Sequence, residues 1–461
     1  MSRPKDHFLI VGGGGREASF ALNLARDSIV SAFVTHRNPT IVGSVESSGG
    51  TLAVGDVRDA EAVARFALEA GVDYAFVSAD DPLANGVVDA LRDAGVKTVG
   101  ATQAASRIEW DKIYAMELMR DVAPEFTPFF EIVADPAGIE PTLRQFQRRG
   151  LEVVVKPQGL TGGKGVKVMP EHLRDYADCA EYARELLATR PGECVLLVEK
   201  LIGIEFTIMG LTDGKNLAMA PASYDYPFRF ENDTGPGTGG MGCFTAADKK
   251  LPFLSDADID DCEVIMRRVL DGLDRAGTRF NGVLNGGFFR TANGIRFMEF
   301  NSRFGDPEGL NILSILGSPF ADVLRAIHSE TISADSVAFI REASVIKYLV
   351  AAEYPGRSPA PFEFTVDLAS LREMGLHVLF GAAEAVEDDR FTTLGSSRVL
   401  AIGATAADIA SASDRVNQGI ERCVAGNLQY RADIGAQSDI DRLIARGAQW
   451  SAPPTSPESN S

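Results

Sequence analysis

Two islands of this chain carry residues with chemistry in them. The first is glycine-dense: Asp233-Thr234-Gly235-Pro236-Gly237-Thr238-Gly239-Gly240-Met241-Gly242. Ordering so many glycines costs backbone entropy, so the run predicts a loop, poorly suited to helix or strand, whose backbone closely approaches another surface. The second island is Glu299-Phe300-Asn301-Ser302-Arg303-Phe304-Gly305-Asp306-Pro307-Glu308. Glu299 and Asn301 stand at i and i+2, so on a strand they share a face. Two hard oxygen donors so placed suit Mg²⁺ (or Mn²⁺), which keeps waters and shares substrate phosphates. Arg303, Asp306 and Glu308 add charge within the same short span.

A third cluster supplies positive charge. Lys156 ends an apolar strand, and Gly162-Gly163-Lys164-Gly165 follows in a loop. No Gly-Lys-Ser/Thr opens a helix there, so it is not a Walker loop. A flexible glycine loop with one lysine can still fold over a triphosphate. A single strand-end lysine reads as a surface residue; a pair bracketing a glycine loop reads as nucleotide binding. Glu199 and Glu205, taken alone, read as surface acids. Near the N-terminus, Gly13-x-Gly15-x-x-Ala18 fits a loose dinucleotide fingerprint. The second strand ends Val34-Thr35-His36-Arg37 without the acid that a nicotinamide dinucleotide requires. A phosphate or other small anion at that helix start is the better reading, against a tight turn with no ligand.

These residues need elements to hold them. Strands at 8–11, 29–34 and 74–77 alternate with helices reaching Arg26, over 60–70 and over 86–94, which predicts a wound parallel sheet over about 1–102. Residues 103–334 read as a larger α/β domain, with an inserted lobe over about 120–195. A long helix over about 256–276 and strands near 282–290 and 295–300 belong to its main part. Strands at 343–351, 376–380 and 398–403 and a helix over 405–424 define a C-terminal α/β domain over 335–440. The polar, proline-rich end of the chain predicts a disordered tail over 441–461.

A chain of 461 residues exceeds one ordinary core, so three or four subdomains are expected. The formal charge of −19 argues against nucleic-acid partners and anionic membranes, while leaving phosphate-bearing small molecules open. No apolar run of membrane-spanning length and no signal peptide is read. Five scattered cysteines without CxxC spacing argue against zinc and predict reduced thiols in a cytoplasmic protein.

In this order the islands resemble the ATP-grasp ligases, and within them the phosphoribosylamine–glycine ligase (glycinamide ribonucleotide synthetase) family. The resemblance covers about residues 8–435. It rests on Gly14-Gly15-Arg16-Glu17, the Asp233-to-Gly242 run and Glu299 to Glu308, with support from Pro82-Leu83, Gly86-Val87-Val88-Asp89, Lys164-Gly165-Val166 and Tyr354-Pro355-Gly356. It implies ATP held between the inserted lobe and the larger lobe. Lys112, Lys156 and Lys164 would meet phosphates, Glu199 and the backbone near Leu201 the adenine, and Glu205 the ribose. Glu299 and Asn301 would hold the metal, and Arg303 would stabilise the transferring phosphoryl group. Asp306 and Glu308 would orient glycine or the ribosyl amine. Gly14, Gly15, Arg16, Glu17, Asn38, Asp80, Asp225, Gly239 and Gly240 would form the substrate side.

Several positions depart from the family pattern. Ala18 replaces a histidine, and Ser78-Ala79-Asp80 replaces Gly-Pro-Glu. Asp225-Tyr226-Pro227-Phe228, with Arg229 one place late, replaces Asp-His-Lys-Arg, and Pro236-Gly237-Thr238 replaces Pro-Asn-Thr. These departures are expected to face the phosphoribosyl amine. The competing readings are therefore a ligase for a different amine or amino acid, a nicotinamide oxidoreductase built on the first domain, and a non-catalytic nucleotide binder.

Overall fold

The computed structural model describes residues 5–159, 165–357 and 360–451. Its N-terminal sheet holds five parallel strands, His7–Val11, Ile29–Val34, Leu52–Val54, Tyr74–Phe76 and Lys97–Val99. In space they run third, second, first, fourth, fifth. The order reverses between the first and fourth strands, and a parallel sheet opens its crevice at the carboxyl ends beside such a reversal. The turn Gly12–Gly14 and the segment Ser78–Asp80 leave those two strands.

The central body is an antiparallel sheet of Leu217–Met219, Gly203–Thr212, Gly282–Thr291 and Gly294–Asn301. Asn285 stands opposite Asn301 and Gly287 opposite Glu299. The helix Asp256–Arg275 backs this sheet. Ser255 caps it, accepting from the Asp258 N–H at 3.2 Å, and Cys262, Ile265, Met266 and Val269 form its buried stripe.

The inserted lobe has its own sheet of Phe130–Val133, Val195–Glu199, Val153–Pro157 and Lys167–Val168. The helices Pro136–Arg149 and Tyr176–Thr189 pack against it. Ile139, Leu143, Phe146, Val155 and Leu197 belong to a hydrophobic core separate from those of the rest of the molecule.

The C-terminal sheet runs Tyr224–Asp225, Gly242–Thr245, Ala343–Ala351, Arg398–Ala406, His377–Phe380. Its first two strands come from the glycine-rich region of the body. A smaller sheet of Ala383–Glu387, Arg390–Thr393, Glu363–Val366 and Val424–Ala425 packs beside it, joined by Phe380 and Phe391 with ring centroids 4.4 Å apart.

The structure corrects two expectations. The glycine-rich run is not one loop: Thr234–Gly237 pairs with Phe228–Phe230 as a hairpin, and Gly242–Thr245 is a buried strand. The close approach expected of its glycines is made to the protein itself. A Cβ on Gly242 would lie 2.3 Å from the Ile346 carbonyl oxygen, and one on Gly240 would lie 2.7 Å from Asp225 Oδ1. The expected disordered tail is also overturned in part, because Gln437–Ser451 is a helix that buries Ile440 and Leu443. Apolar residues three apart were enough for a helix once the central sheet, at Gly203–Thr212 and Gly282–Thr291, was there to receive them. Residues 452–461 lie outside the described residues.

Candidate active site

The lobe and the body enclose a cavity of about 680 Å³. Lys112 and Lys156 line one side, and Glu299, Asn301 and Arg303 the other. Arg16 and Asp80 reach in from the N-terminal switch point, and Arg398 from the C-terminal sheet. Met116, Val166, Leu196 and Met298 form an apolar flank. A second chamber of about 210 Å³ continues from it, sharing Gly239, Glu299, Asn301, Arg303 and Asp306 and adding Glu205, Asp225, Asn285 and Glu308. The glutamate–asparagine couple and two of the three candidate lysines therefore face one space. Lys164 lies outside the described residues.

The charges in this space are poorly compensated. Burial lowers the Lys112 pKa, with Glu299 opposing and Lys156 adding to the shift. Its Nζ donates to the Gly159 carbonyl at 2.7 Å. Glu205 opens onto cleft water by surface area, yet protein surrounds it on most sides; this burial, and then the Glu299 charge, push its carboxyl up to about 7. Burial raises Glu308, and raises Asp225 well above the usual carboxylate range, with Glu308 and Glu205 adding to the latter. Asp225 Oδ1 and Asn285 Oδ1 are buried without hydrogen-bond partners.

Crowded carboxylates and orphaned acceptors are what a cation relieves. Asn301 Oδ1 now accepts from Arg303 Nη2 at 3.2 Å. Among the described residues no group of three or more His, Cys, Asp or Glu side chains has a metal-holding arrangement. The donor set thus fits a hard divalent ion that takes its remaining ligands from water and phosphate.

Arg303 is held by its surroundings. Glu109 Oε1 lies 3.1 Å from its Nε, a charge contact outside hydrogen-bond geometry, while Nη1 donates to the Phe304 carbonyl at 3.1 Å. Glu109 is fixed in turn, its Oε2 accepting from the Ser302 N–H at 2.9 Å and hydroxyl at 2.7 Å. Asp306 is gripped from the C-terminal sheet: Tyr348 donates to Oδ1 at 2.7 Å, and Arg398 Nη2 lies 2.9 Å from Oδ2. Arg398 Nη1 also donates to the carbonyls of Asp306 at 2.7 Å and Gly240 at 3.1 Å, and to that of Gly239. Sequence reading missed Glu109, Tyr348 and Arg398. Each lies far along the chain from the motif it serves, and no local pattern marks them.

Other candidates prove to be braces. The buried Glu17 accepts from the Gly14 N–H at 2.8 Å and pairs with Arg16 Nε at 2.8 Å, holding the first helix start and aiming the guanidinium toward Asp80, 3.6 Å away. Asn38 is fully buried. Its Nδ2 donates to the carbonyls of Gly13, Phe380 and Gly381, and its Oδ1 accepts from Thr40 and Ile41. Gly15 is needed because a Cβ would strike the Tyr348 hydroxyl, 2.3 Å away. Glu199 and Leu201 sit on the link between the lobe and the body and line neither chamber.

The departures at Tyr226 and Arg229 do not face the cleft, contrary to expectation. Tyr226 is fully buried and its hydroxyl donates to Asp439 of the last helix. Arg229 donates to the Tyr354 carbonyl at 2.9 Å and to Gln429 Oε1 at 2.7 Å. Both changes are absorbed by the C-terminal packing.

Solved structures share this architecture. Phosphoribosylamine–glycine ligase from Thermotoga maritima superposes with a TM-score of 0.76 at 23% identity, covering 93% of this chain and all of that one. The biotin carboxylase domain of Hydrogenobacter thermophilus 2-oxoglutarate carboxylase, crystallised with MgADP, ADP and bicarbonate, gives 0.68 at 14% identity over 97% of this chain and 94% of its own. A parallel switch-point domain, a lobe of separate core and an antiparallel body closing on one charged cleft define an ATP-grasp protein.

The subdivision within that class follows from sequence. Residues 6–109, 110–309 and 344–437 match the N, ATP-grasp (A) and C domains of phosphoribosylglycinamide synthetase. Curated phosphoribosylamine–glycine ligases of Methanobrevibacter smithii and Methanothermobacter thermautotrophicus are 37% and 36% identical, each over 95% of this chain and 98% of their own length. The chain belongs to the phosphoribosylglycinamide synthetase family.

Proposed function

We propose that the protein is an ADP-forming carboxylate–amine ligase that joins glycine to 5-phosphoribosylamine, a step of purine synthesis. The observation that carries this reading is the convergence of Lys112 and Lys156 with Glu299 and Asn301 in one cavity, with Arg16, Asp80 and Arg398 at its far wall. ATP lies with its base on the apolar flank near Met116 and Leu196 and its phosphates toward the lysines, with Lys164 completing that set. Glu199 and the Leu201 backbone meet the adenine, and Glu205 the ribose, when the lobe closes. Glu299 and Asn301 hold Mg²⁺ (or Mn²⁺), which neutralises the triphosphate when bound.

A glycine carboxylate oxygen attacks the γ-phosphorus, ADP leaves, and glycyl phosphate results. The amine nitrogen then attacks the acyl carbon, phosphate departs, the nitrogen sheds a proton, and the amide forms. Arg303 faces the transferring phosphoryl group with its guanidinium already fixed by Glu109, so little reorganisation is needed during reaction. Asp306 and Glu308 orient glycine and the incoming amine. Asp225 and the backbone of Gly239 and Gly240 form the adjoining wall. Arg16 and Asp80 contact the phosphoribosyl amine at the switch point. Positioning and charge neutralisation supply the catalysis, and no side-chain nucleophile is required.

No helix among the described residues is long and apolar enough to cross a membrane, and its cysteines are free. Both features accord with a cytoplasmic enzyme acting on small molecules. Purified protein supplied with ATP, Mg²⁺, glycine and freshly generated phosphoribosylamine is expected to release ADP and form glycinamide ribonucleotide. ADP release with another amine, and none with phosphoribosylamine, would move the assignment to a different substrate.

A further inference from the structure

A separate cavity of about 410 Å³ lies where the N-terminal sheet meets the body, and it shares no lining residue with the reactive cleft. It sits at the amino end of the parallel strand Lys97–Val99, whereas the switch point opens at the carboxyl ends. Arg92, Lys97, Arg279 and His328 all face it. Such an accumulation is unusual on a chain of formal charge −19 and requires a cause.

The two acids at this cavity are already engaged. Glu330 accepts from Arg279 Nη1 and from Lys215 Nζ, both at 3.0 Å. Asp213 is spent on its own turn, accepting from the N–H groups of Lys215 at 2.9 Å and Asn216 at 2.8 Å. Arg279 retains Nε and Nη2 buried without partners. Lys97 Nζ lies over the Tyr74 ring, 4.8 Å from the centroid, and among the described residues it makes no ion pair. Burial, and then the charges of Lys97 and Arg92, lower the His328 pKa, which favours its neutral imidazole beside these cations.

We infer that this cavity binds a phosphate monoester the size of a sugar phosphate or nucleoside monophosphate. Arg92, Lys97 and Arg279 bring positive charge to the cavity, and a phosphate dianion offsets it. The volume falls in the range of small-molecule sites. Arg92 and Lys97 come from the N-terminal domain, and Arg279 and His328 from the body, so the ester bridges two domains at a distance from catalysis.

The test is calorimetric titration of the full-length protein, saturated with a non-hydrolysable ATP analogue and Mg²⁺, with ribose 5-phosphate, AMP and inorganic phosphate in turn. One ester is expected to bind with a signal that Arg16→Ala in the cleft leaves unchanged. Lys97→Ala combined with Arg279→Gln should weaken it at least tenfold, while turnover stays at the wild-type level. Should the double variant fold poorly, Lys97→Ala alone, an exposed side chain, should still weaken it several-fold. No ester signal, a signal lost in Arg16→Ala and kept in Lys97→Ala, or equal affinity for inorganic phosphate and the esters would overturn the inference.

Discussion

The inserted lobe and the body beneath it are built on different terms. The lobe has its own core, with Phe146 and Leu197 packed inside it. The body shares one continuous core with the C-terminal sheet and part of the N-terminal domain, in which Val11, Phe206, Val345 and Leu400 all belong to one cluster. Glu299, Asn301, Arg303 and Asp306 stand on or beside the shared framework, where neighbours over-determine their positions. Lys156 and Leu196 are carried by the lobe, whose other sheet face, with Phe130, Leu196 and Val198, leans on that shared core. On the function proposed above, the groups that meet the metal and the transferring phosphoryl group sit on the shared framework, and Lys156, which meets the nucleotide, sits on the element with a core of its own.

The contrast can be broken by mutation. Glu299→Gln, on the fixed side, should lower turnover by about 10³-fold with an unchanged melting temperature, read by ADP release and calorimetry. Lys156→Ala, on the lobe, should cost about 10²-fold and raise KM for ATP as well. Equal effects on kcat alone in the two variants would erase the distinction. Phe146→Ala should destabilise the lobe by about 3–5 kcal/mol, speeding amide exchange over 130–199 while the C-terminal sheet keeps its protection. Arg398→Lys should preserve charge but lose the contacts to the Gly239, Gly240 and Asp306 carbonyls, raising KM for the amine more than KM for ATP.

The smallest effect concerns pH. Glu205 rises from an ordinary value of 4.5 to about 7 in the folded protein. Between those values the folded protein holds a proton that the unfolded chain has released. Stability from this group is therefore full below about 4.5 and is lost as pH rises to about 7. Glu205→Gln should flatten that slope in thermal melts, and an unchanged slope would show that cleft water screens the carboxylate.

Much of this was legible in the sequence, for identifiable reasons. Glu299 and Asn301 announce themselves because an i, i+2 pair on a strand needs no tertiary information. The wound N-terminal sheet reads from its apolar strands. The helix Pro136–Arg149 did not, since Pro141 lies inside it and proline interrupts the usual signal. The bracing contacts of Asn38 and Glu17 were not legible, because a polar side chain near a glycine turn looks the same whether it meets a ligand or caps the backbone. Arg398 was invisible: its partners Asp306 and Gly240 are distant in sequence, and only the folded sheet brings them together.

The strand Gly242–Thr245 pairs with Ala343–Ala351, across the gap between the segments matching the A and C domains. An engineer who exchanges the last third of this chain for that of a relative, cutting in that gap, would graft a foreign strand onto this seam. Chimeras should tolerate such a cut only when residues 224–245 travel with the transplanted piece.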